Sequence, residues 1–229
     1  MEEFVSKQVI LLYLSGFSVY IGLMIDWYSY HIKREFLISQ TIGVMSVANW
    51  IQYAGRIANM GGVFIMSILF ESGYDKYEII HVFCFALGFT ALNLILGYRD
   101  KKFAFIPFLI QKILCINIFG IHGTKFYWSK IRVTNLNLLM FFSIIVNLAI
   151  MCALIAPIYA ASFNPTYRMS FAYGGQFLNF ASSIIVFAYI DRILYSGEIE
   201  STDLNISSII NGKLVASIVF PIFLVVSIL

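Results

Sequence analysis

The chain has 229 residues, 60% hydrophobic and 12% charged, with a formal net charge of +3 and a mean hydropathy of +0.86. Soluble domains carry about 25% charged residues, so a water-solvated globule is excluded and the bilayer must be the solvent for most of this surface. A chain of this length suits one integral-membrane domain, residues 1–229, and leaves no room for a soluble catalytic module.

A membrane span needs about 20 apolar residues, and six regions qualify. The first runs from Gln8 to Tyr30. It follows an acidic Met1-Glu2-Glu3 and precedes no small-residue cleavage site, so it reads as a retained span rather than a signal peptide. The second starts near Phe36 and stays apolar to Phe70, longer than a straight span requires, with Gly61-Gly62 inside it. Glycine weakens a helix, so both a long tilted helix and one that breaks and re-enters are open. The third covers Tyr77 to Tyr98. Phe103 to Gly120 is apolar but contains Pro107, Gln111 and Lys112; it reads as an amphipathic segment at the interface, with a seventh span as the alternative. The fourth, fifth and sixth spans cover Leu138 to Ala161, Ser170 to Leu194 and Ile206 to Leu229. Continuous apolar runs of this kind exclude a β-barrel. The expected fold is an all-α, polytopic membrane bundle of about six transmembrane helices plus one interfacial segment.

Lysine and arginine favour cytoplasmic loops. With six spans and the N-terminus outside, the inner side holds Lys33, Arg34, Arg99, Lys101, Lys102, Lys112, Lys125, Lys130, Arg132, Arg192 and Lys213. The outer side holds Lys7, Lys76 and Arg168. Eleven against three predicts both termini outside. A seventh span at 103–120 would move Lys125, Lys130 and Arg132 outward, which argues against it.

Within the second span, Asn49, Gln52, Arg56 and Asn59 follow at steps of 3, 4 and 3, on one helical face. A guanidinium at membrane depth costs several kcal/mol unless it meets a partner, water or a polar ligand. Two readings follow: a cavity wall that receives an anion, for which the planar guanidinium fork is suited, or interhelical hydrogen bonding. Arg56 stands out as the strong cation clearly within a span. Asp26, toward the inner end of the first span, is read as an ion-pair partner for Lys33, Arg34 or Arg192, or as a titrating coupling group. Asp191 poses the same choice beside Arg192. The fifth span carries Tyr173, Gln176, Asn179 and Ser183 on a second polar face behind Gly174-Gly175, a candidate for the wall opposite Arg56.

Asn93 and Asn147 sit mid-span and read as interhelical donors. His81 reads as interfacial, and His31 and His122 as inner-loop residues. Arg168 falls in a short outer loop, Ser162 to Met169, as a candidate for meeting an anionic headgroup. Cys84, Cys115 and Cys152 lie apart in apolar runs without metal-ligand or disulfide spacing. No nucleophile–base pair, metalloprotease motif, phosphate loop or dinucleotide fingerprint appears. Neither enzyme activity, a metal nor a cofactor is therefore expected, and the basic loops read as topology and lipid attraction rather than nucleic-acid binding.

Several segments together resemble one family. They are Ile25-Asp26-Trp27-Tyr28-Ser29-Tyr30, Arg56-Ile57-Ala58-Asn59-Met60, and the stretch from Tyr159-Ala160-Ala161 through Pro165-Thr166-Tyr167-Arg168, with Asn179 and Asp191 following at matching spacing. This pattern resembles the Amj family of bacterial lipid II flippases, the alternates to MurJ. It differs in having Asp26 where the family has glutamate, Gly174-Gly175-Gln176 and Phe180 around Asn179, and Arg192 where a proline is usual. The resemblance implies a multi-pass protein of the bacterial cytoplasmic membrane whose partner is lipid II, an undecaprenyl-pyrophosphate-linked oligosaccharide carried from the inner to the outer leaflet. On that reading Arg56 holds the pyrophosphate, and Asn49, Gln52, Asn59, Gln176 and Asn179 donate to sugar or phosphate oxygens. Two other classes stay open: a non-catalytic membrane scaffold, and a small-solute permease. The assumed spans set Asp26 near the inner face and Arg56 in the outer half, so their meeting would require a broken or displaced second span.

Overall fold

The computed structural model describes residues 2–39, 42–99, 131–163, 168–196 and 199–228. Every regular element among them is helical: α1 (Glu2–Ser39), α2 (Ile42–Glu71), α3 (Lys76–Arg99), α4 (Leu138–Phe163), α5 (Arg168–Ile185), a π-helical segment (Val186–Asp191), α6 (Arg192–Ser196) and α7 (Ile199–Ile228). Six helical stretches are long and apolar enough to cross a membrane. The chain is thus an all-helical, multi-pass membrane protein. The segment at 103–120, His122 and Cys115 lie outside the described residues.

Central α1 packs on α2, α3 and α7, while α4 packs on α5, α7 and, more lightly, α2. Trp27, Phe83, Met24 and Leu87 are fully buried between these helices, and Phe83 meets Phe220 edge-on at 6.4 Å. Outward-facing residues are just as apolar: Ile57, Phe64, Phe177 and Phe223 are each about two-thirds exposed. A surface of this kind requires hydrocarbon around it.

The second span does not break. α2 runs unbroken through Gly61-Gly62, and Gly62 is there for packing. A Cβ on Gly62 would stand 2.6 Å from the Ser15 carbonyl oxygen, and one on Gly55 would stand 2.7 Å from that of Gly22. Small residues let the two backbones close, and Ser18 Oγ bonds across to the Ala58 carbonyl at 2.8 Å. The second helix starts six residues later than the apolar run that begins at Phe36. α1 extends to Ser39 and α2 begins at Ile42, so residues equally far from that junction lie side by side. Asp26 and Arg56 are one such pair, and no broken helix is needed to bring them level.

Between α2 and α3 the chain reverses in Ser72–Asp75. Gly73 takes φ +87°, with Tyr74 N–H donating to Leu69 O at 3.0 Å and Gly73 N–H to Phe70 O at 3.1 Å. This is a Schellman cap, which favours glycine at the left-handed position. Asp75 then caps α3 by accepting from Tyr77 N–H at 3.2 Å. Gln8 donates to Ser72 Oγ at 3.3 Å, tying the start of α1 to this turn.

A hydrogen bond to Glu78 pushes the Tyr74 hydroxyl up to about 12. A phenol whose folded-state pKa is raised contributes stability that is intact below its unfolded value, about 10, and fades as pH climbs toward 12. Glu78→Gln is expected to return Tyr74 toward the ordinary phenol range. Difference ultraviolet titration against Tyr74→Phe checks this, and an unchanged midpoint would refute it.

At the opposite end, residues 131–137 run alongside α7. Asn211 Nδ2 donates to Arg132 O and to Thr134 Oγ1, each at 2.9 Å, and Asn137 Nδ2 donates to Ser208 Oγ at 2.8 Å. Asn137 also caps α4, accepting from Met140 N–H at 2.8 Å.

Candidate functional site

Five ionised side chains meet where α1, α2, α7 and the π-helical segment converge: Asp26, Lys33, Arg56, Asp191 and Lys213. Among the described residues they form two interlocked ion pairs and one guanidinium without a carboxylate at hydrogen-bond distance.

Lys33, with its side chain fully buried, donates to both carboxylate oxygens of Asp191 at 2.9 and 3.0 Å and to Gln52 Oε1 at 3.1 Å. Its three protons are all used. Asp191 can reach it because it closes the π-helical segment. There i→i+5 bonding widens the turn, and both Ile190 and Asp191 are buried. The second pair joins Lys213 of α7 to Asp26 of α1. Both ammoniums lie over the Tyr30 ring, Lys33 at 5.0 Å and Lys213 at 4.9 Å from its centroid, where the electron-rich face attracts cations.

Arg56 Nη1 donates to Ser183 Oγ at 2.6 Å, and Ser183 in turn donates to Asn179 O at 2.9 Å. Its buried Nε has no acceptor. The guanidinium senses both carboxylates electrostatically. Arg56 therefore uses one of its five donors, and Lys213 gives one bond of its three. The spare donors border a common cavity of about 10 Å³, lined by Asp26, Tyr30, Gln52, Arg56, Asn147 and Lys213 with apolar residues of α4 and the π-helical segment. That volume holds about one water molecule.

A larger cleft of about 180 Å³ opens one turn of α2 away. Met60, Val63, Phe64 and Ser67 form one wall and Gly175, Gln176 and Asn179 the other, with Ala153, Leu154 and Pro157 of α4 as its floor. α2 and α5 hardly touch along it, and the Arg56–Ser183 bond bridges the pair at one end of the gap. Gly175 shapes this wall: a Cβ there would stand 2.7 Å from Ala153 O.

The sequence-selected residues divide between these places. Arg56, Gln52 and Asp26 line the small cavity, whereas Gln176 and Asn179 line the cleft. Asn59 is buried against Gly22 of α1, with its Oδ1 unpartnered. Asn49 is half-buried and lines neither space. The four polar residues of α2 thus serve three directions, because a stripe spread over three turns faces more than one neighbour.

Several expectations need correcting. Asp26 pairs with Lys213, not with Lys33, Arg34 or Arg192, and Asp191 pairs with Lys33 rather than Arg192. Lys213 does not sit in an inner loop; it is buried within the α7 span, so Arg56 is not alone among cations in the membrane region. His31 is buried in α1 against Trp27, at 5.5 Å, not in a loop. Arg168 is the first residue of α5 rather than a loop residue. Asn93 and Asn147 bond back to carbonyls of their own helices, Phe89 O at 3.0 Å and Ser143 O at 2.7 Å, not across helices. Ser183, on the fifth-span polar face expected opposite Arg56, does meet Arg56; Lys33 was expected only as a partner of Asp26, and Lys213 and Tyr30 are site residues that no sequence pattern singled out. The available signal was Lys213 inside an apolar run long enough to span.

Compared with protein-family models, curated proteins and solved structures, the chain finds no match in any of the three.

Proposed function

We propose that the chain is a flippase for lipid-linked, pyrophosphate-bearing oligosaccharides, with lipid II as its substrate in the bacterial cytoplasmic membrane. The observation that carries this reading is charge imbalance. Among the described residues, three cations, Lys33, Arg56 and Lys213, share a largely buried site with two carboxylates, Asp26 and Asp191. Unpaired charge in a low-dielectric interior is costly, and an anionic headgroup is what would balance it. The lateral cleft beside Arg56, with Gln176 and Asn179 on one wall, supports a path for sugars and phosphate while the lipid tail stays in hydrocarbon. The resemblance of the Asp26, Arg56 and Pro165–Arg168 segments to the Amj pattern adds lipid II as the particular substrate.

The cavity at Arg56 is too small for a phosphate with the Arg56–Ser183 bond in place. Transport on this reading requires α2 and α5 to part at that bond, joining the cavity to the cleft. The protein performs no covalent step; it replaces the water around the headgroup with fixed donors, lowering the desolvation barrier. Both termini face outward in this scheme. Setting aside the buried Lys33 and Lys213 leaves nine of the eleven inner cations against three outer ones.

The test is complementation. Cells depleted of their principal lipid II flippase are expected to grow when this chain is expressed, with lipid II reaching the outer leaflet. Failure to rescue by well-accumulated protein would overturn the reading in favour of a scaffold. Uptake of a soluble solute without dependence on lipid-linked sugars would favour a permease.

A further inference from the structure

We infer that the Asp26 carboxylate is a built-in stand-in for the substrate's phosphate: an incoming diphosphate displaces it from Lys213, and the displaced carboxylate takes up one proton. This rests on the flippase reading and specifies how its anion site works.

The geometry separates the two ion pairs. Lys33 is saturated by Asp191 and Gln52, and Asp191 does not line the cavity. The Lys33–Asp191 pair is thus closed. The Lys213–Asp26 pair lines the cavity directly beside Arg56, and Lys213 retains donors beyond its bond to Asp26. An anion entering beside Arg56 therefore meets Lys213 as its second cation and Asp26 as its competitor.

Charge balance sets the proton count. The empty cluster carries three positive and two negative groups. A diphosphate diester brings about two negative charges. Adding it to an ionised Asp26 would leave the site one charge negative in a low-dielectric place. With Asp26 protonated, the occupied site is neutral. The proton comes from bulk water and the carboxylate becomes a carboxylic acid; no other bond changes. Among the described residues, the ionisable groups around Asp26 are Tyr30 and Lys33 from α1, Arg56 from α2, Asp191 from the π-helical segment and Lys213 from α7, with Tyr195 of α6 beyond them beside Asp191. Among the described residues, α3 and α4 bring no ionisable group to the cavity lining. Of these groups, Asp26 is the carboxylate whose partner the anion takes.

The experiment is titration calorimetry on the full chain in nanodiscs, with a soluble dialkyl diphosphate diester and with a polyprenyl diphosphate linked to an uncharged sugar in the bilayer as separate probes, each carrying two fixed negative charges over the pH range used. Buffers of differing ionisation enthalpy count the protons. Wild-type protein is expected to take up about one proton per diphosphate, its affinity strengthening by up to about tenfold for each pH unit lowered. Asp26→Asn is expected to bind without proton uptake, at least about tenfold more tightly than wild type at pH 8, and with a flat pH profile. Wild-type binding without proton uptake overturns the exchange and leaves the flippase reading standing; this arm needs no variant to fold. An unchanged pH profile in a folded Asp26→Asn protein overturns it equally. Proton-linked binding of the soluble diester alone, with none for the polyprenyl form, keeps the exchange and removes the flippase reading. No binding of either probe removes both.

Discussion

Arg56→Ala is expected to abolish rescue of flippase-depleted cells while the protein still accumulates in the membrane. The physical basis is the unusual bonding of this guanidinium. It holds one hydrogen bond to Ser183 and no carboxylate at hydrogen-bond distance. Removing it strips no ion pair, and it relieves the surplus positive charge of the cluster. Stability should therefore hold or rise slightly. Transport should not: losing a charged, partly buried donor set to phosphate costs about 3 kcal/mol, on the order of a hundredfold in rate or affinity. Arg56→Lys restores the charge but not the planar fork, and rescue is expected to stay poor. Immunoblotting beside growth and headgroup-accessibility assays separates the alternatives. If abundance and activity fall together in both variants, Arg56 is interhelical glue and the anion-binding role is wrong.

The second large effect concerns folding. Asp191→Ala leaves the Lys33 ammonium fully buried with Gln52 as its sole remaining side-chain acceptor. Removing one partner from a buried ion pair costs about 3–5 kcal/mol, mostly the penalty of the stranded charge. For a chain of this length that lowers the thermal midpoint by roughly 10 °C. Replacing both partners, Lys33→Met with Asp191→Leu, strands nothing and should recover most of the loss. The double variant also keeps the cluster's surplus of one positive charge, so rescue is expected to persist in it. Thermal unfolding of the purified variants checks both claims. A double variant as unstable as the single one would mean that the ion pair is not what holds the π-helical segment to α1.

The structure ties these two effects to different parts of one cluster. Lys33, Asp191 and Gln52 satisfy one another and fasten α1, α2 and the π-helical segment. Arg56, Lys213 and Asp26 keep donors in reserve around the cavity. Packing at Gly22, Gly55 and Gly62 sets the level at which α1 meets α2, and so decides that Asp26 faces Arg56.

Hydropathy and helical period were enough to define the class of protein. Both are local properties: a span must be apolar along its own length because each lipid-facing residue meets hydrocarbon independently of the rest of the chain. The same local logic singled out Arg56, whose cost at depth needs no knowledge of its neighbours. The partners were another matter. Lys213 and Asp26 are 187 residues apart in sequence, and Lys33 and Asp191 are 158 apart. No spacing rule joins residues on different helices. Which lysine meets which aspartate depends on where α1 ends, how closely glycines let it approach α2, and how a π-helical turn rotates Asp191 inward. Those are outcomes of packing, and the tertiary structure alone decided them.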